Sequence, residues 1–175
     1  EQRRAIVTDI SQHSITLLGL GNGARSFASG GNPGTNGAIG TGPAYGAAAL
    51  PDGDLLVAEW SGTIHRVSPT GQVSVWAEVP PHIYQIAIDA SGNVFAATFE
   101  GDVLRVEPDG SASVYAVGFG GGKLVAIAAT PAGDLYAAER GGQGRIVRVR
   151  PDGSRQTIFR RDDAHYYGLT VDNAF

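Results

Sequence analysis

Short apolar segments alternate with turn residues along most of this chain, and the pattern recurs about every 40 residues. Two series of glycines mark the repeat: Gly53, Gly92 and Gly133, at spacings of 39 and 41, and Gly71, Gly110 and Gly153, at spacings of 39 and 43. A period of this length is typical of folds in which one supersecondary unit is copied and each copy packs on its neighbours.

Each unit contains four apolar segments, which we name A to D from the inside outwards. Asp-Gly or Ser-Gly separates A from B and Pro-x-Gly separates C from D, and such pairs provide the positive φ that tight hairpins need. Segments such as Leu55–Ala58 and Val94–Ala97 show no polar alternation, which indicates strands covered on both faces. Segment C, as in Ile64–Val67, alternates more clearly and is expected nearer the rim. The pattern predicts four-stranded sheets stacked face to face.

Radially stacked four-stranded sheets with this period form a β-propeller, and we predict an all-β propeller with three complete blades and a fourth made from both chain ends. A β-sandwich would not repeat so regularly. The predicted boundaries within this single domain are strands B–D of the composite blade at 1–29, a Gly-rich linker at 30–43, complete blades at 44–80, 83–120 and 123–160, and strand A of the composite blade at 166–175.

The composite blade follows from the two ends. The segment that begins at Tyr167 aligns with the A strands, whereas Ala5–Asp9, Ile15–Leu18 and Arg25–Ala28 align with B, C and D. Unpaired strand edges are a liability that ring closure removes, so the last strand is predicted to pair with the first segment. Three geometries remain open: a four-bladed monomer, an eight-bladed homodimer formed by strand exchange, and a piece of a longer propeller.

Composition narrows the classes of partner. The 175 residues carry a net charge of −4 with dispersed Lys and Arg, which argues against nucleic acid. No apolar run approaches the roughly 20 residues needed to span a membrane. Cysteine and methionine are absent and the sequence begins Glu-Gln-Arg-Arg, so we expect an excerpt or a processed form. An extracytoplasmic or secreted location is expected.

The stretches Pro-Asp-Gly-Asp-Leu-Leu-Val-Ala-Glu at 51–59 and Ala-Gly-Asp-Leu-Tyr-Ala-Ala-Glu at 132–139 resemble the NHL-repeat propellers. They are also similar to the regucalcin/gluconolactonase-like and virginiamycin B lyase-like proteins. The gluconolactonase-like group implies calcium or another divalent cation over the channel, with a Glu leading into the first A strand among its ligands. The lyase-like enzymes imply a His and a Glu near the channel. Here no lead-in to strand A offers a carboxylate: these are Ala44-Tyr45, Ile83-Tyr84, Leu124-Val125 and Tyr166-Tyr167.

The blade topology predicts where a site would lie. Loops that lead into strand A and loops that follow strand B open on the same face of a propeller. The candidate ligand-binding residues collected there are His82, Tyr84, His165, Tyr167, Glu59, Glu139 and Asp9, with Glu100, Arg140 and Tyr166 nearby. Two imidazoles with carboxylates could bind a divalent metal or act as acid and base.

Structural roles are the competing interpretation of the same residues. Glu59, Glu139 and Asp9 end their B strands, where they could cap loops or pair with arginines, as Glu139 with Arg145. Arg66, Arg105 and Arg148 are expected to form a rim ladder with acids such as Glu107, and His65 is expected at the rim. Trp60, Phe99 and Trp76 are expected to pack, although an aromatic ring at a propeller mouth suits sugar or peptide stacking.

Two hypotheses about function follow. The first is a binding or assembly module that recognises a small molecule, a sugar or a protein partner at the channel mouth. The alternative is a metal-dependent gluconolactonase-like hydrolase or a virginiamycin B lyase-like enzyme. The sequence has no Gly-x-Ser-x-Gly and no His-Glu-x-x-His motif, so no nucleophile or zinc signature favours the enzyme.

Overall fold

The computed structural model describes residues 43–117, 119, 123–141, 144–162 and 164–171, and the backbone of 4–9, 14–19, 23–30 and 38–39. Its strands are β1 Arg4–Asp9, β2 Ser14–Gly19, β3 Gly23–Gly30, β4 Ala38–Ile39, β5 Ala44–Ala49, β6 Leu55–Glu59, β7 Thr63–Val67, β8 Val73–Glu78, β9 Ile83–Ile88, β10 Val94–Thr98, β11 Val103–Val106, β12 Ala112–Ala116, β13 Lys123–Ala129, β14 Leu135–Arg140, β15 Arg145–Val149 and β16 Arg155–Arg160. Within these ranges there is no helix, and therefore none that could cross a bilayer.

The three complete blades are confirmed. Each is an antiparallel sheet whose strands follow chain order: β5 to β8 form the first blade, β9 to β12 the second and β13 to β16 the third. The six glycines that mark the repeat all have φ between 80° and 95°, as the turns between A and B and between C and D require. The hairpin turns predicted from Asp-Gly, Ser-Gly and Pro-x-Gly therefore form where the spacing places them.

Burial falls from the inner to the outer strands of a blade. Every residue of β6 and of β10 is buried, whereas every residue of β16 is exposed. The inner strands are covered on both faces because neighbouring blades stack on them, which explains why their sequences lack polar alternation. Two of the apolar cores therefore lie between neighbouring blades, and a third, smaller cluster lies on the first blade.

Two apolar cores hold the three blades together. Between the first and second blades, Leu56 and Ile64 pack with Ile86 and Leu104. Between the second and third, Phe95 packs with residues that include Leu124, Ile127 and Val147. Each fully buried side chain of this size contributes roughly 1.5–3 kcal/mol of transfer free energy, so the stacking is the main source of stability.

The N-terminal sheet occupies the place of a preceding blade. Strands β1, β2 and β3 pair in antiparallel register where B, C and D were predicted. Strand β1 packs against β5, just as β6 packs against β9 and β10 against β13. The predicted linker 30–43 contributes one further strand, since β4 runs parallel to the end of β3.

The predicted closure of the ring is not observed among the described residues. Leu169–Val171 form no strand, and the described part of the final segment makes a single bridge, between His165 and Arg140. Leu169 and Val171 instead line a groove on the third blade with Tyr136 and Ile146. This face corresponds to the faces that the next blade covers in the first two blades, so the segment lies where an A strand would begin the next blade.

At the end of the blades that carries the A–B and C–D turns, which we call the far end, arginines of strand C meet acids. Arg66 contacts Asp54 and Asp52, and Arg148 contacts Asp134. Arg105 Nη2 donates to Asn93 at 3.0 Å and Arg105 Nε lies 2.8 Å from Glu107, although that second pair is not aligned as a hydrogen bond. The predicted arginine ladder is confirmed.

Candidate functional site

The opposite end of the blades, which we call the mouth, is organised by backbone hydrogen bonds between loops. The residue after strand B donates to the residue before strand A: Trp60 N to Pro43 O at 3.0 Å and Phe99 N to His82 O at 2.8 Å. His82 N donates to Trp60 O at 2.6 Å and so joins the second blade to the first. These bonds set side chains from both blades next to one another.

Four aromatic rings form a continuous surface across the mouth of the first two blades. We call Tyr45, Trp60, Tyr84 and Phe99 the aromatic shelf. Trp60 is its hub, with ring centroids 5.5 Å from Tyr45, 5.5 Å from Tyr84 and 5.4 Å from Phe99. All four side chains are half-buried, so their packing leaves part of each ring open to solvent. The predicted packing role of Trp60 and Phe99 is confirmed.

His82 is held in one orientation beside the shelf. Its φ of 70° is positive, a region that non-glycine residues seldom occupy and that is often found at functional sites. Its Nδ1 lies 2.5 Å from Glu100 Oε1, and its ring lies 4.6 Å from the Trp60 ring. The carboxylate fixes the imidazole so that Nε2 is the nitrogen left for another partner.

Two cationic residues occupy directly opposite backbone positions at the mouth of the third blade. Lys123, in β13, stands directly opposite Arg140, in β14, at the positions that His82 and Phe99 hold in the second blade. Lys123 Nζ lies 3.7 Å from the centroid of the Phe99 ring, and the Arg140 guanidinium lies 5.0 Å from that of Tyr167. We call Lys123 and Arg140 the cation pair.

His165 and Tyr167 lie on the third-blade side of the mouth. His165 is exposed and shares a small polar pocket with Phe159, Arg161 and Tyr166. Tyr166 donates its hydroxyl to Gly144 O at 3.2 Å, and Tyr167 is 67% exposed. His82 and His165 occupy corresponding loops, but the described contacts place them in two separate groups.

Glu59 is buried in contact with His65, which the sequence predicts at the rim. It is 4% exposed, accepts from Ser61 Oγ at 3.1 Å and has Oε1 3.3 Å from His65 Nε2. That approach is not aligned as a hydrogen bond, so both atoms are left without one. The prediction of His65 at the rim is wrong: it is 7% exposed, because its position in strand C is the one that Leu104 and Val147 hold in the other blades.

Glu139 is fully engaged in a structural contact. It is 1% exposed and receives two hydrogen bonds from Arg145, at 2.9 Å from Nε and 2.7 Å from Nη2. The pair raises the pKa of Arg145, chiefly through these hydrogen bonds. The predicted pairing of Glu139 with Arg145 is confirmed, which leaves Glu139 no free oxygen for a ligand. Asp9 ends β1, and its side chain lies outside the described residues.

No protein-family model matches the sequence, and the comparison with curated proteins finds no match. Similar solved structures exist, however. Virginiamycin B lyase from Staphylococcus aureus superposes with a TM-score of 0.74 at 16% identity, over 94% of this chain and 55% of that one. The chain has the β-propeller fold. A calcium-binding regucalcin from Agrobacterium tumefaciens gives 0.67 at 16% identity over 97% and 61%, and a gluconolactonase from Xanthomonas campestris gives 0.59 at 17% over 68% and 48%.

These propellers are the ones that the sequence resembles, and the likeness at this identity concerns the fold. The chain spans about half the length of the propellers it matches.

The calcium site that the resemblance implies does not fit the described residues. Calcium takes about six to eight oxygen ligands, several of them carboxylates. The lead-ins to strand A carry none, and residues 43–171, where described, bring no three His, Asp or Glu side chains together. Of the carboxylates nearest the mouth, Glu100 lies beside His82 and Glu139 is paired with Arg145. Glu59 is buried and accepts a hydrogen bond from Ser61.

The location of the aromatic shelf and His82 could be predicted from the sequence, because the loops that carry them open on one face of the blades. The cation pair was not singled out, although alignment of the repeats shows Lys123 and Arg140 at positions held by His82 and Phe99 one blade earlier. Alignment of the C strands would likewise have marked His65 as polar at an apolar position. Comparison of equivalent positions between repeats is the signal that finds both.

Proposed function

We propose that the chain is a binding module that recognises a ligand at the propeller mouth through the aromatic shelf. The observation that carries this proposal is the contact of four half-buried rings at one end of the first two blades. The inter-blade cores are mainly aliphatic and alanine, so four adjoining rings at the mouth exceed what blade stacking needs. Aromatic faces bind flat, partly apolar ligands, while Tyr and Trp also hydrogen-bond at their edges.

Polar groups border the shelf where a ligand would need orientation. The His82–Glu100 pair lies on one side, half-exposed, and the hydroxyls of Tyr45 and Tyr84 have no hydrogen-bond partner among the described residues. A small number of fixed polar groups around an apolar surface is the usual composition of a ligand site. The shelf therefore offers both affinity and orientation.

The alternative, a metal-dependent hydrolase or lyase, draws its support from the resemblance alone. The described residues show one imidazole–carboxylate pair at the mouth surface, His82 with Glu100, and no set of metal ligands around it. We therefore propose recognition as the primary activity. The strand-exchanged homodimer and the extracytoplasmic location remain predictions.

Tryptophan fluorescence tests the proposal directly, because the sequence has two tryptophans and only Trp60 belongs to the shelf. In a Trp76→Phe background, Trp60 is the single reporter. Titration with neutral and acidic tetrasaccharides and with a tyrosine-containing tripeptide should give a saturable emission change for at least one probe. Tyr84→Ala should weaken that probe by about tenfold or more, as expected when an aromatic anchor is truncated.

The matched control is Val75→Ala, at an exposed residue of β8 in the first blade, outside the shelf. It should leave the titration unchanged. A flat response to every probe, or equal affinity in Tyr84→Ala and the parent, would refute ligand recognition by the shelf.

A further inference from the structure

The fold alone does not explain why the cation pair occupies opposite positions on neighbouring strands. Like charges directly opposite each other on neighbouring strands destabilise a sheet. Lys123 and Arg140 are such a pair, and Lys123 is the single lysine of the sequence. No carboxylate of the described residues lies within 4 Å of either cationic group. In the first two blades the corresponding positions carry Pro43 with Trp60 and His82 with Phe99, so the fold does not require charge here.

The pair adjoins the aromatic shelf. Lys123 Nζ lies over the Phe99 ring at 3.7 Å, and the Phe99 ring in turn contacts Trp60 and stacks on Tyr84. A ligand on the shelf therefore has positive charge at its third-blade edge.

We infer that the mouth binds an acidic saccharide, a sugar chain with carboxylate groups, whose rings stack on the aromatic shelf and whose acid contacts Lys123 and Arg140. This inference rests on the proposed function and assigns its ligand class. Sugar rings present a C–H face to aromatic side chains, and their hydroxyls suit the Tyr45 and Tyr84 hydroxyls and the free Nε2 of His82. An arginine opposite a lysine provides both a planar and a point-charge partner for a carboxylate.

Other ligand classes match the arrangement less well. A quaternary ammonium ion needs rings that surround an open space, whereas the shelf rings pack on one another at 5.0–5.7 Å and Lys123 already covers Phe99. A nucleic acid needs a longer row of cations than two. A neutral sugar would use the shelf but gives no reason for the like-charged pair.

Calorimetric titration with tetragalacturonic acid tests the inference, with maltotetraose as the neutral probe of equal length. Tetragalacturonic acid should bind more tightly, and Lys123→Gln or Arg140→Gln should weaken it by about tenfold or more, as loss of a charged hydrogen bond does. Neither variant should change maltotetraose binding. Arg150→Gln, the same substitution at a half-buried far-end arginine, is the matched control and should have no effect.

Two further measurements show whether the variants are stably folded and test the inference in the unaltered chain. Both charge variants should unfold in urea at the same or a higher midpoint than the parent, because a repulsion has been removed. Acetylation of Lys123 in the unaltered chain should slow when tetragalacturonic acid is present and not when maltotetraose is. Equal binding of both sugars, unprotected Lys123 or unaffected charge variants would overturn the acidic-saccharide assignment. Binding of only the peptide probe would also overturn it while the proposed shelf function stands.

Discussion

The far end and the mouth of the blades contain the same repeat positions but use them differently. At the far end the arginine of strand C meets a side chain from the start of strand B in every complete blade: Asp54, Asn93 or Asp134. At the mouth the equivalent position at the end of strand B is Trp60, Phe99 or Arg140, and the equivalent position at the start of strand A is Pro43, His82 or Lys123. In a repeat protein, contacts that recur in each unit support the fold. Positions that differ between units are free to serve a ligand.

Variation alone does not make a residue functional, and Arg145 shows why. Its counterparts in the first two blades are Thr63 and Asp102, yet it neutralises Glu139, which is 1% exposed. Breaking a buried ion pair by removing one partner costs about 3–5 kcal/mol. We expect Arg145→Met to lower the free energy of unfolding by that amount in urea denaturation, the largest effect predicted for this chain.

A second substitution, which copies the equivalent residue of the second blade, should compensate for this loss. Glu139→Thr, the residue found at Thr98, should restore most of the stability lost in Arg145→Met. A loss of less than about 1 kcal/mol in the free energy of unfolding of Arg145→Met would show that this ion pair contributes no more than an exposed one. Arg145 could then not be distinguished, as a structural charge, from the cation pair.

The Glu59–His65 contact gives the next largest effect. Replacement of a buried ion pair by well-packed residues is often neutral or stabilising by about 1–4 kcal/mol. The double variant Glu59→Thr with His65→Leu installs the residues of the second blade, Thr98 and Leu104, and should equal or exceed the parent in urea. His65→Leu alone should be less stable than the double variant, because the buried Glu59 carboxylate then lies beside an apolar side chain instead of the imidazole.

If the double variant instead loses more than about 1 kcal/mol, then the two side chains contribute to the contact between the first blade and the N-terminal sheet in a way the repeat does not share. Glu59 and His65 would then belong to a third class of position, specific to that interface.

The smallest effect concerns the far end and pH. Asp109 accepts two hydrogen bonds from Ser111 in the C–D turn, and the hydroxyl bond is the main reason that its pKa is lowered from 3.8. Because the folded pKa is depressed, this contribution to stability is present above pH 3.8 and is lost as the pH falls through the folded value. Ser111→Ala should raise the Asp109 pKa in carboxyl NMR titrations and leave stability at neutral pH nearly unchanged. An unaltered pKa would show that the hydroxyl does not set it.

The strands of the complete blades were predictable because turn chemistry and apolar spacing are local and recur in each unit. The Glu139–Arg145 pair and the arginine ladder were predictable for the same reason, since each joins residues a few positions apart or on adjacent strands. The closure of the ring, which is not observed among the described residues, stays a prediction. It depends on the curvature with which blades stack, and no residue of the repeat encodes that angle by itself.

The site was predictable only as a location. Topology places His82 and Tyr84 at the mouth, but the contact of Trp60 with three neighbouring aromatic rings depends on loop conformations such as the positive φ of His82. The burial of His65 depends on packing beyond its own strand. Both are tertiary properties that a single blade does not determine.

The most direct test of the account is a map of amide chemical shifts in ¹⁵N-labelled protein during titration with tetragalacturonic acid. We predict that the shifted amides lie at the mouth, at Trp60, Phe99 and Arg140. The amide chemical shifts of the far-end glycines Gly53, Gly92 and Gly133 should not change. Shifts centred on the far-end turns, or none at saturating sugar, would contradict the assignment of the two ends.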